Sequence, residues 1–138
     1  MLRDIIISIR PPQWIKNLVV FLPLLFSFNE FWDLSNLNDG LQPVLNALFC
    51  FLVFLLASSS IYLLNDAFDS EKDQLHPVKK NRPVAKGSIS RRTALAASMI
   101  FAVLSLALSM SFSTGVLASI ACYMILMVFY STLFRNIF

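Results

Sequence analysis

The stretch VLNALFCFLVFLLASSSIYLL, residues 44–64, runs directly into NDAFDSEKD, residues 65–73. The first part carries no charged side chain. As a helix rising ~1.5 Å per residue it reaches about 30 Å, the thickness of a hydrocarbon core. The second part is acidic, so one helix is predicted to leave the membrane carrying carboxylates. The rest of the chain has the same apolar character. Of 138 residues, 57% are hydrophobic and 14% charged, too little polar sequence to clothe a soluble domain of this size. The fold class is therefore read as all-α and integral to the membrane.

Working outward, four transmembrane helices are expected, at about 15–31, 44–64, 93–112 and 116–134, with a loop at 65–92. Charge placement orients them. Arg3, Arg10 and Lys16 lie at the start, and the 28–43 loop holds Glu30, Asp33 and Asp39 without a basic residue. The 65–92 loop holds Lys72, Lys79, Lys80, Arg82, Lys86, Arg91 and Arg92, and Arg135 follows the last span. Basic residues thus alternate sides, which places both ends and the 65–92 loop in the cytoplasm of a multi-pass cell-membrane protein. Trp14 and Trp32 suit anchors at opposite interfaces. Pro23 breaks the first apolar stretch and no small-residue cleavage site follows, against a removed signal peptide. Cys50 and Cys122 fall inside spans and read as packing residues. Ala94, Ser98, Ala102, Ser105 and Ser109 form a small-residue stripe for close helix packing, and Ser119, Tyr123, Met127 and Tyr130 a similar one.

Asp66, Asp69 and Asp73 are spaced three and four apart, so they share one helix face, bordered by Asn65. Tyr62 and Ser59 extend that face into the membrane, while Glu71 points elsewhere. Same-face carboxylates repel one another, and at a helix C-terminus they also oppose the macrodipole. Helix stability alone does not select them. Oxygen-only donors suit a hard cation such as Mg2+, which favours a few carboxylates plus phosphate oxygens. His76-Pro77 is predicted to end the helix. Lys79, Lys80, Arg82 and Lys86 then occupy a loop short enough to fold back over the carboxylates, where Arg offers bidentate and Lys point-charge contacts to phosphate. Lone His76 is read as a helix-stop residue.

With Asn65-Asp66-x-x-Asp69-x-x-x-Asp73 at the end of the second span, the chain resembles the UbiA superfamily of intramembrane prenyltransferases. RPPQWIKN at 10–17, HPVKKNRPVAKGSIS at 76–90 and YSTLFRN at 130–136 resemble its decaprenyl-phosphate phosphoribosyltransferase branch. The resemblance implies a fold of about nine helices, of which residues 1–138 form the N-terminal part. It implies that Asp66, Asp69 and Asp73 hold Mg2+, that Asn65 helps orient metal or phosphate, and that Arg82, Lys86 and Lys16 contact the diphosphate. Lys80, Tyr62, Tyr130 and Arg135 stand at the edge of this set. No Asp or Glu follows Asp73, whereas the family has a second aspartate-rich motif in its later half.

The resulting expectation is a Mg2+-dependent transferase taking a diphosphate donor. In the favoured branch phosphoribosyl diphosphate is the donor and a polyprenyl phosphate the acceptor. In the wider family a polyprenyl diphosphate is the donor and an aromatic or quinone precursor the acceptor. A non-catalytic truncated four-helix protein is the rival from another class. Membrane lipid is an expected partner of the apolar surface, but a polar face exposed to it is costly, so a homo-oligomer partner or a missing C-terminal half is expected to cover that face. A transporter lacks the expected charges deep in the spans, and nucleic-acid binding lacks interleaved aromatics.

Overall fold

The computed structural model describes residues 2–27 and 37–133, with side chains described from residue 40 in the second stretch. Helix α1 (Leu2–Ser8) leads into a 3₁₀ segment at Pro11–Phe21, which passes into α2 (Leu22–Phe26). Helix α3 spans Leu37–Leu75, and a 3₁₀ turn at Lys79–Asn81 begins the connection to α4 (Arg91–Phe112). Helix α5 (Thr114–Leu133) closes the described part. Among the described residues there is no strand, and three helices are long and apolar enough to cross a membrane: Gly40–Leu75, Arg91–Phe112 and Thr114–Leu133.

Two of the expected spans, 93–112 and 116–134, coincide with α4 and α5 within two residues, the position of Phe134 lying outside the described residues. The other two differ. Residues 15–31 do not form one α-helix: the backbone is 3₁₀ through Phe21, and residues 28–31, with Trp32, lie outside the described part. Proline accounts for the local pattern. Pro23 has no N–H to offer the Val19 carbonyl, which accepts instead from Leu22, in the shorter 3₁₀ pattern. Helix α3 is longer than expected, 39 residues or nearly 60 Å at ~1.5 Å per residue, so it overshoots any bilayer. At its other end α3 carries residues 65–75 beyond the expected span and stops before His76-Pro77, as the sequence predicts, so that the loop proper occupies 76–90.

Helices α3 and α4 run side by side because small residues face each other. The Ser60 and Ser98 hydroxyls each donate to the other residue's carbonyl over 2.9 Å, and Ser105 Oγ donates to the Val53 carbonyl at 3.0 Å. Ala94, Ser98, Ser105 and Ser109 of the expected stripe are buried, and Ala102 is half-buried. The expected α5 stripe is only partly realised. Ile120 is the buried residue, Tyr123 packs beside it, and Ser119, Met127 and Tyr130 face outward. Val53, Ala57 and Ile120 form the mid-bundle core, flanked by Phe54, whose ring lies 5.6 Å from that of Tyr123. Phe21 meets Phe51 at 5.4 Å and lays the 3₁₀ segment against α3. Cys50 and Cys122 are free thiols.

A second core lies at the carboxylate end. Leu63 and Ala67 of α3 meet Val84 and Ile89 of the loop and Ala94 of α4, with Ile5 of α1 and Ile9 just after it packed on. This apolar knot makes the 76–90 loop fold back instead of trailing into solvent. It positions everything that follows.

Candidate functional site

The loop is shaped residue by residue. His76 ends α3, as its sequence context predicts, and its exposed ring shapes the turn that follows. Its Nδ1 accepts from the backbone N–H of Val78 and Lys79, at 3.1 and 3.2 Å. Gly87 adopts φ +83°, a left-handed conformation open to glycine without Cβ strain. Ser90 caps α4 by accepting from Thr93 N–H at 3.0 Å. Between these fixed points Pro83, Val84 and Ala85 are buried, and Arg82 is turned back toward α3.

There Arg82 Nη1 donates to Asp73 Oδ2 at 2.7 Å and to Asp66 Oδ1 at 3.4 Å. Asp66 and Asp73 are 1% and 3% exposed, so neither carboxylate has water to compensate it fully. Asp69, between them in sequence, is half-buried and has an interaction of its own. Glu71 is exposed on another face, as expected.

A second guanidinium reaches the same place from the start of the chain. Arg10 Nη2 donates to Asp66 Oδ1, the oxygen that Arg82 also approaches. Its guanidinium carbon sits 5.0 Å from the centroid of the Tyr62 ring, a cation–π contact. Arg10 has φ 54°, the one non-glycine residue at positive φ among the described residues. A residue with a Cβ there costs about 1–2 kcal/mol of backbone strain. The turn is held by Arg10 N–H to the Ile7 carbonyl at 3.1 Å, Gln13 N–H to the Arg10 carbonyl at 2.8 Å, and Trp14 Nε1–H to the Ile9 carbonyl at 3.1 Å. Arg10 and Arg82, with Asp66, line a cavity of about 310 Å³ that Ile7, Lys79 and Asn81 help enclose.

Asn65 is fixed from α5: Ser131 Oγ donates to its Oδ1 at 2.5 Å. Deeper along α3, Asn17 Nδ2 donates to Ser58 Oγ at 3.0 Å, joining the 3₁₀ segment to the polar face of that helix.

The structure thus gathers Asp66, Asp73 and Arg82, with Tyr62 under Arg10. It does not gather the remaining cations. Lys16, Lys80 and Lys86 are exposed and pair with none of the three aspartates among the described residues. Tyr130 is exposed, and Arg135 lies outside the described residues. Among the described residues no three His, Cys, Asp or Glu side chains converge as a metal-holding group. The donor chemistry nevertheless fits a hard cation: two buried carboxylates present oxygens to one nitrogen, a position where positive charge is already shared. Arg10 and Ser131 are the residues that sequence reasoning misses. Arg10 enters it only through topology, although it opens the RPPQWIKN segment; no spacing rule links Ser131 to Asn65, 66 residues away.

Residues 20–138 match the UbiA prenyltransferase family. The chain is 35% identical over 123 residues to the decaprenyl-phosphate phosphoribosyltransferase of Mycolicibacterium smegmatis, covering 89% of this chain and 37% of that protein. It is 33% identical over 116 residues to the protein of that name from Corynebacterium glutamicum, covering 83% and 32%. It is 31% identical over 121 residues to the nodulation protein NoeC of Azorhizobium caulinodans, covering 88% and 36%. The chain therefore spans about a third of the length of these curated relatives.

Proposed function

Because the chain belongs to the UbiA prenyltransferase family, we propose that it supplies the diphosphate-binding part of an intramembrane transferase, one that moves a phosphoribosyl group from phosphoribosyl diphosphate to a polyprenyl phosphate. The observation that carries this reading is the pair of buried carboxylates, Asp66 and Asp73, both met by Arg82, with Asp66 also held by Arg10 at the edge of a cavity that Asp66 and the two arginines line. The names of the relatives supply the donor and acceptor classes.

In this reading Asp66, Asp69 and Asp73 hold Mg2+, and Asn65, tethered by Ser131, orients the metal or a phosphate oxygen. Bound Mg2+ supplies charge neutralisation for departing pyrophosphate. The protein's own part is electrostatic. Arg82, with Lys86, Lys16 and Lys80 reaching in from exposed positions, takes the diphosphate oxygens and stabilises the negative charge that grows as the bond from sugar C1 to the diphosphate oxygen breaks. A phosphate oxygen of the polyprenyl phosphate forms the new bond to C1, and pyrophosphate leaves. The acceptor tail lies between helices, in a multi-pass protein of the cell membrane whose carboxylate end faces the cytoplasm, as the basic residues there favour. Tyr130 and Arg135, at the same end by sequence, are placed toward the acceptor head group. The remaining helices of the family fold, from a longer reading frame or a second copy, cover the polar face of α3.

The test is pyrophosphate release from phosphoribosyl diphosphate by the longest natural reading frame containing these residues, in detergent with added polyprenyl phosphate. Release that needs Mg2+ and is abolished in Asp69→Ala supports the assignment. Turnover only of a polyprenyl diphosphate with an aromatic acceptor would keep the site and replace the donor. No turnover of either donor would leave a non-catalytic membrane protein as the better description.

A further inference from the structure

Arg10 and Arg82 come from distant parts of the sequence, one from a strained turn before the 3₁₀ segment and the other from the loop before α4, yet both address Asp66 Oδ1. Arg82 also holds Asp73. A carboxylate oxygen has room for about two good donors, and a guanidinium has five N–H groups in a planar fork that fits phosphate as well as it fits carboxylate. Any cation that binds Asp66 through this oxygen must therefore displace a guanidinium. The displaced group stays beside the same 310 Å³ cavity. Arg10 is kept there by its backbone turn and by the Tyr62 ring at 5.0 Å, and Arg82 by the buried Pro83-Val84-Ala85 anchor.

We propose that Arg10 and Arg82 form an exchange clamp: they neutralise Asp66 and Asp73 until a divalent cation takes those carboxylates, and then turn to the oxygens of the donor diphosphate. This rests on the transferase reading and adds Arg10 to the residues that touch the donor. It has a thermodynamic consequence. The arginines compete with the cation when it binds alone and cooperate with it when the anion is present, so cation and diphosphate bind as a coupled pair.

Mn2+ binding to the full-length protein in detergent, followed by the electron paramagnetic resonance of free Mn2+, tests the clamp without reference to turnover. Arg10→Gln and Arg82→Gln should each bind Mn2+ alone at least about threefold more tightly than wild type, the scale of one partly exposed ion pair lost as competitor. Both should bind inorganic pyrophosphate, in the presence of Mn2+, about tenfold more weakly, with Arg10→Lys recovering part of the loss. Lys79→Gln removes the same charge from the same cavity wall and controls for long-range electrostatics. Arginine variants that bind Mn2+ no more tightly than Lys79→Gln, or that bind pyrophosphate in the presence of Mn2+ as wild type does, would overturn the clamp and leave Arg10 as an anchor for α1. If Asp66→Asn leaves wild-type Mn2+ binding unchanged, the carboxylate site itself is wrong and the clamp falls with it.

Discussion

Arg82 Nη1 stands 2.7 Å from Asp73 Oδ2, a contact that adds a polar tie between the loop and the helix it has just left. Asp73 is almost fully buried, whereas the Arg82 side chain is 27% exposed, so the aspartate depends on the arginine more than the reverse. Arg82→Met should cost about 1–3 kcal/mol by leaving a buried carboxylate underpaired. Pairing it with Asp73→Leu should recover part of that loss. Thermal unfolding of the single and double variants in detergent measures the coupling. Strictly additive losses would show that the ion pair does not hold the loop.

The α3–α4 seam makes a second prediction. Ser60 and Ser98 donate reciprocally to each other's carbonyls, which requires the two backbones to be close. Ser98→Ala should cost about 0.6 kcal/mol, the average for a hydrogen bond between membrane helices. Ser98→Leu should cost about 1–3 kcal/mol, because the added volume pushes the helices apart. Equal losses in the two variants would mean that close approach is not the constraint.

Gly87 at φ +83° has open space around the position of a Cβ. Gly87→Ala therefore meets backbone strain and no clash, and about 1 kcal/mol of destabilisation is expected. Asn at this position should be tolerated better than Ala, because Asn visits the left-handed region more readily. A comparison of melting temperatures for the two variants checks the order.

Ser131 is expected to act through Asn65 and not on substrate directly. Ser131→Ala removes the donor to Asn65 Oδ1 and should lower kcat/KM for the diphosphate donor about threefold to tenfold. Ser131→Thr, which retains a hydroxyl, should recover most of it. A loss of folded protein in Ser131→Ala with unchanged kcat/KM per folded molecule would make the bond purely structural.

Much of this protein is legible from periodicity and charge. Apolar length alone predicts α3, α4 and α5, because a helix in lipid must satisfy its backbone internally and must be long enough to cross. The three-and-four spacing of Asp66, Asp69 and Asp73 puts them on one side of α3, because helical geometry leaves no alternative. The first span is not legible. Pro11, Pro12 and Pro23 shift its hydrogen bonding to the 3₁₀ pattern, a competition that hydropathy does not register.

What only the tertiary structure decided is which charges meet. Lys72, Lys79, Lys80, Arg82, Lys86, Arg91 and Arg92 all lie close to the aspartates in sequence, and it is Arg82 that bridges Asp66 and Asp73. That choice follows from Val84, Ala85 and Ile89 being buried, with Val84 and Ile89 packed onto Leu63 and Ala67, which turns the loop one way and leaves the Lys86 side chain outside. Arg10 joins them across 56 residues of sequence. Local spacing sets the face of a helix. Long-range apolar packing selects the partner brought to that face.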